Sequence, residues 1–147
     1  MPEITIRPLT QSDEQAWRRL WTDYLAFYET TVSEEVYASS FARLIGDDPQ
    51  DFSGLIALVD GQPQGLTHFL FHRHGWKIEN TCYLQDLYVS PQARGTGLGR
   101  KLIEAVYRIA DEKGAPSVYW LTQEFNTTAR QLYDRIAKVT PFIRYNR

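Results

Sequence analysis

From Arg94 to Arg100 the chain reads Arg-Gly-Thr-Gly-Leu-Gly-Arg, and Lys101 follows. Three glycines in five residues, placed where a β-rich run hands over to an amphipathic one, expose backbone N–H groups at the start of a helix. Those orphan donors, together with the positive end of the helix dipole, bind phosphate. Arg94, Arg100 and Lys101 supply charge for a ligand with several phosphates. The competing reading is a tight turn that glycine permits and nothing more. Two familiar nucleotide patterns do not fit. No G-x-x-x-x-G-K-S/T string occurs in the chain. A G-x-G-x-x-G fingerprint would need its third glycine where Arg100 stands, and would sit near the first strand.

Other side chains with chemistry to offer are few. Cys82 is the single cysteine, which excludes an intrachain disulfide and a cysteine-based metal cluster; in a β-rich run it reads as a small apolar residue. His68, His72 and His74 stand two or four apart on an expected strand and so share one face. Further zinc ligands are not evident and no metal is expected; either one of the three lines a binding site or all face solvent. Trp17, Leu20, Trp21, Tyr24, Phe27 and Tyr28 recur at helical spacing. They form a core stripe, or else Trp21, Tyr24, Phe27 and Tyr28 with Glu29 make an aromatic and acidic slot for an ammonium or a short polyamine. Tyr133 shares a helix face with Leu132 and Ile136, the place of an ordinary core aromatic.

These residues need a frame, and 147 residues make one domain, expected over 1–147. Hydrophobic residues at 43% and charged residues at 23% mark a globular chain rather than a disordered one. The net charge of −2 argues against nucleic acid or an anionic membrane as partner. No apolar run approaches the length of a membrane span, the first residues lack a leader pattern, and a cytoplasmic protein is expected. Charge is uneven: residues 13–51 carry nine acids against three bases, and residues 130–147 carry five bases against Asp134. Both are solvated faces, or else an acidic mouth for a cation and a basic region for an anion or a partner subunit.

The order of elements follows from period and punctuation. Glu3–Pro8 alternates as a short strand, and Ser12 or Asp13 caps the aromatic helix. Ser33 caps a second helix that stops at Gly46. Phe52–Val59 and Gln64–His74 flank the hairpin turn Asp60-Gly61, and Thr81–Val89 is a third run. A long helix follows the glycine turn, Ser117–Thr122 is a strand, Asn126–Ala137 is a helix, and Pro141–Asn146 is a terminal strand. The reading is β-α-α-β-β-β-α-β-α-β, one α/β domain with a mixed sheet.

Tyr88-Val89-Ser90-Pro91 followed by Arg94-x-x-Gly97-x-Gly99 resembles the acyl-CoA signature of the GNAT superfamily of N-acetyltransferases, Gln/Arg-x-x-Gly-x-Gly/Ala. Asn126-x-x-Ala129-Arg130-x-Leu132-Tyr133 is similar to a later motif of that superfamily, and the strand order agrees. Pro116–Trp120, Leu132-Tyr133 and Ile143-Arg144-Tyr145 resemble the fungal histone and polyamine acetyltransferase subgroup. The resemblance covers most of the chain from Phe52 onward. It implies acetyl-CoA as cosubstrate and direct attack by an amine on the thioester, with no enzyme nucleophile. It places the pyrophosphate on Arg94, Gly95, Thr96, Gly97, Leu98, Gly99 and Arg100, the pantetheine arm on Leu87 and Val89, and a cofactor contact on Asn126. It makes Tyr133 the acid that protonates the departing thiolate, and implies a splayed strand whose backbone N–H polarises the thioester carbonyl.

The attacking amine must first lose a proton, which at pH 7 costs an alkyl ammonium about 4.6 kcal/mol. A carboxylate, directly or through water, receives it. Asp86, on the strand leading to the glycine turn, is the first candidate, either as base or as an orienter of the cation. Tyr24, Tyr28, Glu29 and Glu124 are candidates for binding the acceptor. Relatives often follow the catalytic Tyr with Gly-Phe and a two-strand hairpin; here that glycine is absent, and only ten residues follow Ala137. A lone terminal strand with free edges pairs with another subunit, so a homodimer through residues 141–146 is expected. The acceptor is expected to be a polyamine, a diamine or an amino acid. The alternatives are a protein lysine or N-terminus, a non-catalytic acyl-CoA sensor, and a nicotinamide enzyme.

Overall fold

The computed structural model describes all 147 residues. β1 (Ile4–Pro8) leads through a short 3-10 turn into α1 (Glu14–Phe27), followed by α2 (Glu34–Leu44). The Ser33 hydroxyl accepts the Val36 N–H at 3.3 Å, the N-cap its position promised. β2 (Ser53–Val59) and β3 (Gln62–His72) form a hairpin closed by Asp60 and Gly61, both with positive φ, 49° and 78°. A two-residue turn with both φ positive matches the twist of the flanking strands. β4 (Thr81–Val89) runs to the glycine turn, then come α3 (Leu98–Glu112), β5 (Val118–Tyr119) and α4 (Thr127–Ile136).

The strands lie in chain order, antiparallel except for the final parallel pair β4–β5. Each face of the sheet carries its own core. Trp17, Leu20 and Leu25 of α1 and Phe41 and Leu44 of α2 pack with Ile56, Leu66 and Tyr88 on one face. Leu98, Leu102, Ile103 and Val106 of α3 pack with Leu55, Phe69, Cys82 and Leu84 on the other, where Leu132 and Ile136 of α4 also dock. Burying both faces makes this a three-layer α/β domain.

One irregularity decides what β4 presents. His68 pairs with Asp86 and Phe69 with Leu84, so Gln85 is left without a partner. The extra residue reverses the alternation of side chains. Cys82 and Leu84 lie in the α3 core, and beyond the bulge Leu87 and Val89 pack there too, whereas Tyr88 belongs to the α1–α2 core.

Two expectations at the C-terminal end need correction. The strand expected over Ser117–Thr122 pairs only at Val118 and Tyr119. Trp120–Thr122 carry no regular secondary structure and no ladder pairing with β4. The terminal strand expected at Pro141–Asn146 is not formed; the tail is irregular, with Phe142, Ile143 and Tyr145 exposed. A strand needs an edge to pair with, and two residues of β5 are too short an edge. His74, expected on β3, lies beyond that strand's end at His72.

Candidate active site

The short β4–β5 pairing leaves the β5-facing edge of β4 open from Leu84 onward, a notch that leads to the glycine turn. Gly95 and Gly97 have φ of +84° and +79°, conformations that a side chain would strain. Through them the chain enters α3 with the N–H groups of Leu98, Gly99 and Arg100 donating to no other backbone group. This is a bare, electropositive helix end facing a groove of about 490 Å³. Arg94 and Arg100 stand on its rim, both exposed. The donor set and the space fit a pyrophosphate with an extended arm.

Leu87, Val89, Arg94, Gly95, Gly97, Leu98, Gly99, Arg100 and Asn126 all line this groove. Thr96 does not; its hydroxyl donates to the Ala93 carbonyl and helps hold the turn. Tyr133 lines the far end of the groove, half-buried, with its ring 5.4 Å from that of Trp120. Burial, and secondarily Tyr28, push its pKa up to about 12. The phenol therefore stays protonated across the physiological range and is available as a donor.

A second groove, of about 640 Å³, shares only Tyr24 and Tyr28 with the first. Tyr83 and Gln85 of β4, the segment Leu121–Glu124, Arg130, and Val139, Thr140 and Phe142–Arg144 of the tail complete it. The aromatic stripe of α1 therefore has two uses. Trp17, Leu20, Trp21 and Leu25 are buried core, while Tyr24, Phe27 and Tyr28 at the helix's end face the grooves. Of the expected acceptor contacts, Tyr24, Tyr28 and Glu124 are brought together here. Glu29 is not; it is exposed, with φ of 57°, at the turn that ends α1.

Asp86 lines neither groove itself but is near enough to Tyr24 and Tyr28, the residues the grooves share, for its charge to act on both hydroxyls. Its side chain is 12% exposed. The Tyr24 hydroxyl is pushed far above the usual phenol range, first by burial and then by the Asp86 charge, and Tyr28 is raised by the same two causes. Tyr83 is raised mainly by burial, with Arg144 pulling it down and Asp86 pushing it up. The Asp86 carboxylate accepts from His68 Nδ1 at 2.8 Å, and His68 Nε2 accepts from the Trp17 indole at 2.9 Å.

The three histidines part company. His68 is buried against Trp17, His72 hydrogen-bonds the Tyr119 hydroxyl at 2.8 Å, and His74 meets Trp76 ring to ring at 5.3 Å. No three side chains of metal-ligating type converge anywhere. Cys82 is fully buried with its thiol pushed up to about 12, so it is an inert core residue. Sequence reasoning missed Arg130, Arg144 and Tyr83 as acceptor-groove residues. The basic stretch 130–147 was the only signal for the two arginines.

Comparison with known proteins agrees with this geometry. A family model described as the acetyltransferase (GNAT) family matches residues 14–137. The chain is 40% identical, over 98% of its length and 90% of the relative's, to a D-amino-acid N-acetyltransferase of Saccharomyces cerevisiae. It is 38% identical, over 90% of its length and 82% of the relative's, to a thialysine N-epsilon-acetyltransferase of Mus musculus. Among solved structures, the aminoglycoside N-acetyltransferase AAC(6')-Iy in complex with CoA superimposes with a TM-score of 0.85 at 19% identity. That match covers 100% of this chain and 95% of the other. With a family model spanning most of the domain and full-length relatives at this identity, the chain belongs to the GNAT family of acetyltransferases.

Proposed function

We propose that the protein transfers the acetyl group of acetyl-CoA to the primary amine of a small amino acid, by direct attack of the amine on the thioester. The observation that carries this is the meeting of two grooves at Tyr24 and Tyr28, with Asp86 close by. One groove has a phosphate-binding helix end; the other has mixed charge. Glu124 in it, with Asp86 beside its tyrosines, suits an ammonium, while Arg130 and Arg144 suit a carboxylate and repel a polyamine. The names of the yeast and mouse relatives, whose substrates are amino acids, support the same class.

In this reading Asp86 holds the ammonium and takes the proton that frees its lone pair. The unpaired edge of β4 in the notch supplies a backbone N–H to the developing oxyanion, a contact worth about 3 kcal/mol. Tyr133 gives its proton to the departing thiolate and regains one from the nitrogen, which sheds its extra proton as the amide forms. The net reaction releases one proton from the original ammonium.

The test is thiol release from acetyl-CoA with D- and L-amino acids, thialysine, diamines, polyamines and lysine peptides. Amino acids are expected to be turned over best. For that acceptor, Asp86→Asn is expected to lower kcat/KM by about a hundredfold or more while acetyl-CoA binding is kept. A preference for polyamines or peptides would overturn the acceptor class, and an unimpaired Asp86→Asn would overturn the role of Asp86.

The exposed apolar tail supports a homodimer made through residues 141–146. The single buried cysteine fits a reducing compartment and supports a cytoplasmic location.

A further inference from the structure

We propose that His68 is a positioning residue for the transfer: backed by Trp17, it commits one oxygen of Asp86 to the protein and leaves the other for the acceptor amine. This rests on the reading of Asp86 given above.

The direction of each hydrogen bond follows from chemistry. An indole N–H only donates, so the Trp17 contact at 2.9 Å requires a lone pair on His68 Nε2. A neutral imidazole carries one N–H, which must then sit on Nδ1. Nδ1 lies 2.8 Å from Asp86 Oδ2, so it donates and the carboxylate accepts. An imidazolium, a donor at both nitrogens, would have to break the Trp17 bond. The array therefore holds His68 neutral, with its proton pointed at Asp86.

The surroundings fix the ring as well as the tautomer. Trp17 is fully buried, stacked on Trp21 at 5.1 Å and against Phe41 at 5.2 Å. Gly54 stands opposite His68 across the β2–β3 ladder, and a Cβ there would come within 3.3 Å of the imidazole. The bulge at Gln85 turns Asp86 to the same face. The other groups bearing on the pair are the hydroxyls of Tyr24 from α1, Tyr28 just past its end and Tyr83 from β4, and the Trp21 ring, 5.8 Å from that of His68. On α1, Arg18 is engaged by Glu14, Glu34 and the Tyr37 ring, and the tail's Arg144 acts on Tyr83.

Asp86 thus has no lysine or arginine within salt-bridge distance; the groups beside it are the His68 ring and the Tyr24 hydroxyl, neither of them a cation. A carboxylate this buried, with no cation of the protein beside it, is a place where an ammonium would complete an ion pair. His68 orients that charge without neutralising it, and an ammonium at the other oxygen completes the pair.

Four variants and one spectrum test this. His68→Leu removes the donor and is expected to raise KM for the amino acid by about tenfold or more, leaving KM for acetyl-CoA unchanged. His68→Asn, whose amide nitrogen falls near the Nδ1 position, is expected to restore most of that loss. In the Asp86→Asn background His68→Leu is expected to add nothing, because both act through one carboxylate. Nitrogen-15 spectra of the wild-type protein should show His68 protonated at Nδ1 and bare at Nε2, which needs no variant to fold. A proton on Nε2, an acceptor KM unmoved by His68→Leu while Asp86→Asn is crippled, or additive losses in the double variant would each overturn the role of His68. An unimpaired Asp86→Asn would instead remove the reading on which it rests.

Discussion

Tyr133 is a phenol kept from ionising. Its pKa of about 12 comes mainly from burial, with Trp120 against the ring, so in its proposed role as acid it would carry its proton throughout the physiological range. Tyr133→Phe is expected to lower kcat by about a hundredfold or more while the dissociation constant for acetyl-CoA, measured by calorimetry, stays within about twofold. The alkaline side of the wild-type kcat profile should stay flat past about pH 10, where an ordinary phenol would titrate. A Phe variant with full turnover would remove Tyr133 from the chemistry.

At the scale of elements, β1 and α1 are joined by a fork. Arg7 Nη1 and Nη2 donate to the two carboxylate oxygens of Asp13 at 2.7 and 2.9 Å, and the Thr10 N–H adds a third bond at 2.8 Å. These contacts, led by Arg7, hold the Asp13 carboxyl at about 2. Because the folded value lies below the unfolded one of about 3.9, the stabilisation is complete above pH 4 and disappears as pH falls toward 2. It amounts to about 2 kcal/mol. Urea unfolding should show Asp13→Asn less stable than wild type at pH 7 by about that amount, with the gap closing near pH 2.

How much of this could be read in advance differs by element. Ser33 and Asp60-Gly61 announced their cap and turn because that chemistry is local. The glycine turn and Tyr133 were legible through motif spacing. β5 and the tail were misread because β propensity says nothing about whether a partner edge exists. Asp86 stands out by its place on β4, whereas the sequence does not separate its partner His68 from His72 and His74. What singles out His68 is Trp17, 51 residues earlier in the chain, and a bulge at Gln85 that no residue type marks.

For the whole molecule, the tail is the open question that the acceptor groove poses. Phe142 and Ile143 line that groove yet are 80% and 76% exposed, and Tyr145 beyond them is 88% exposed. Apolar residues this bare are expected to be covered by a second copy, in which case light scattering at micromolar concentration returns twice the 17.1 kDa of one chain. Removing residues 139–147 should return a monomer with weakened acceptor binding and unchanged acetyl-CoA binding. A full-length monomer would overturn the dimer.

The unpaired Gln85 gives β4 a change of phase, and everything downstream depends on it. Upstream, even-numbered side chains belong to the α3 layer; downstream, odd-numbered ones do. Excising that one residue would leave the composition of the strand almost unchanged. It would nonetheless carry Asp86 into an oily core and swing Leu87 out among the tyrosines. Length at this point is therefore as strictly specified as any catalytic side chain, and this segment has to evolve by substitution rather than by insertion or deletion.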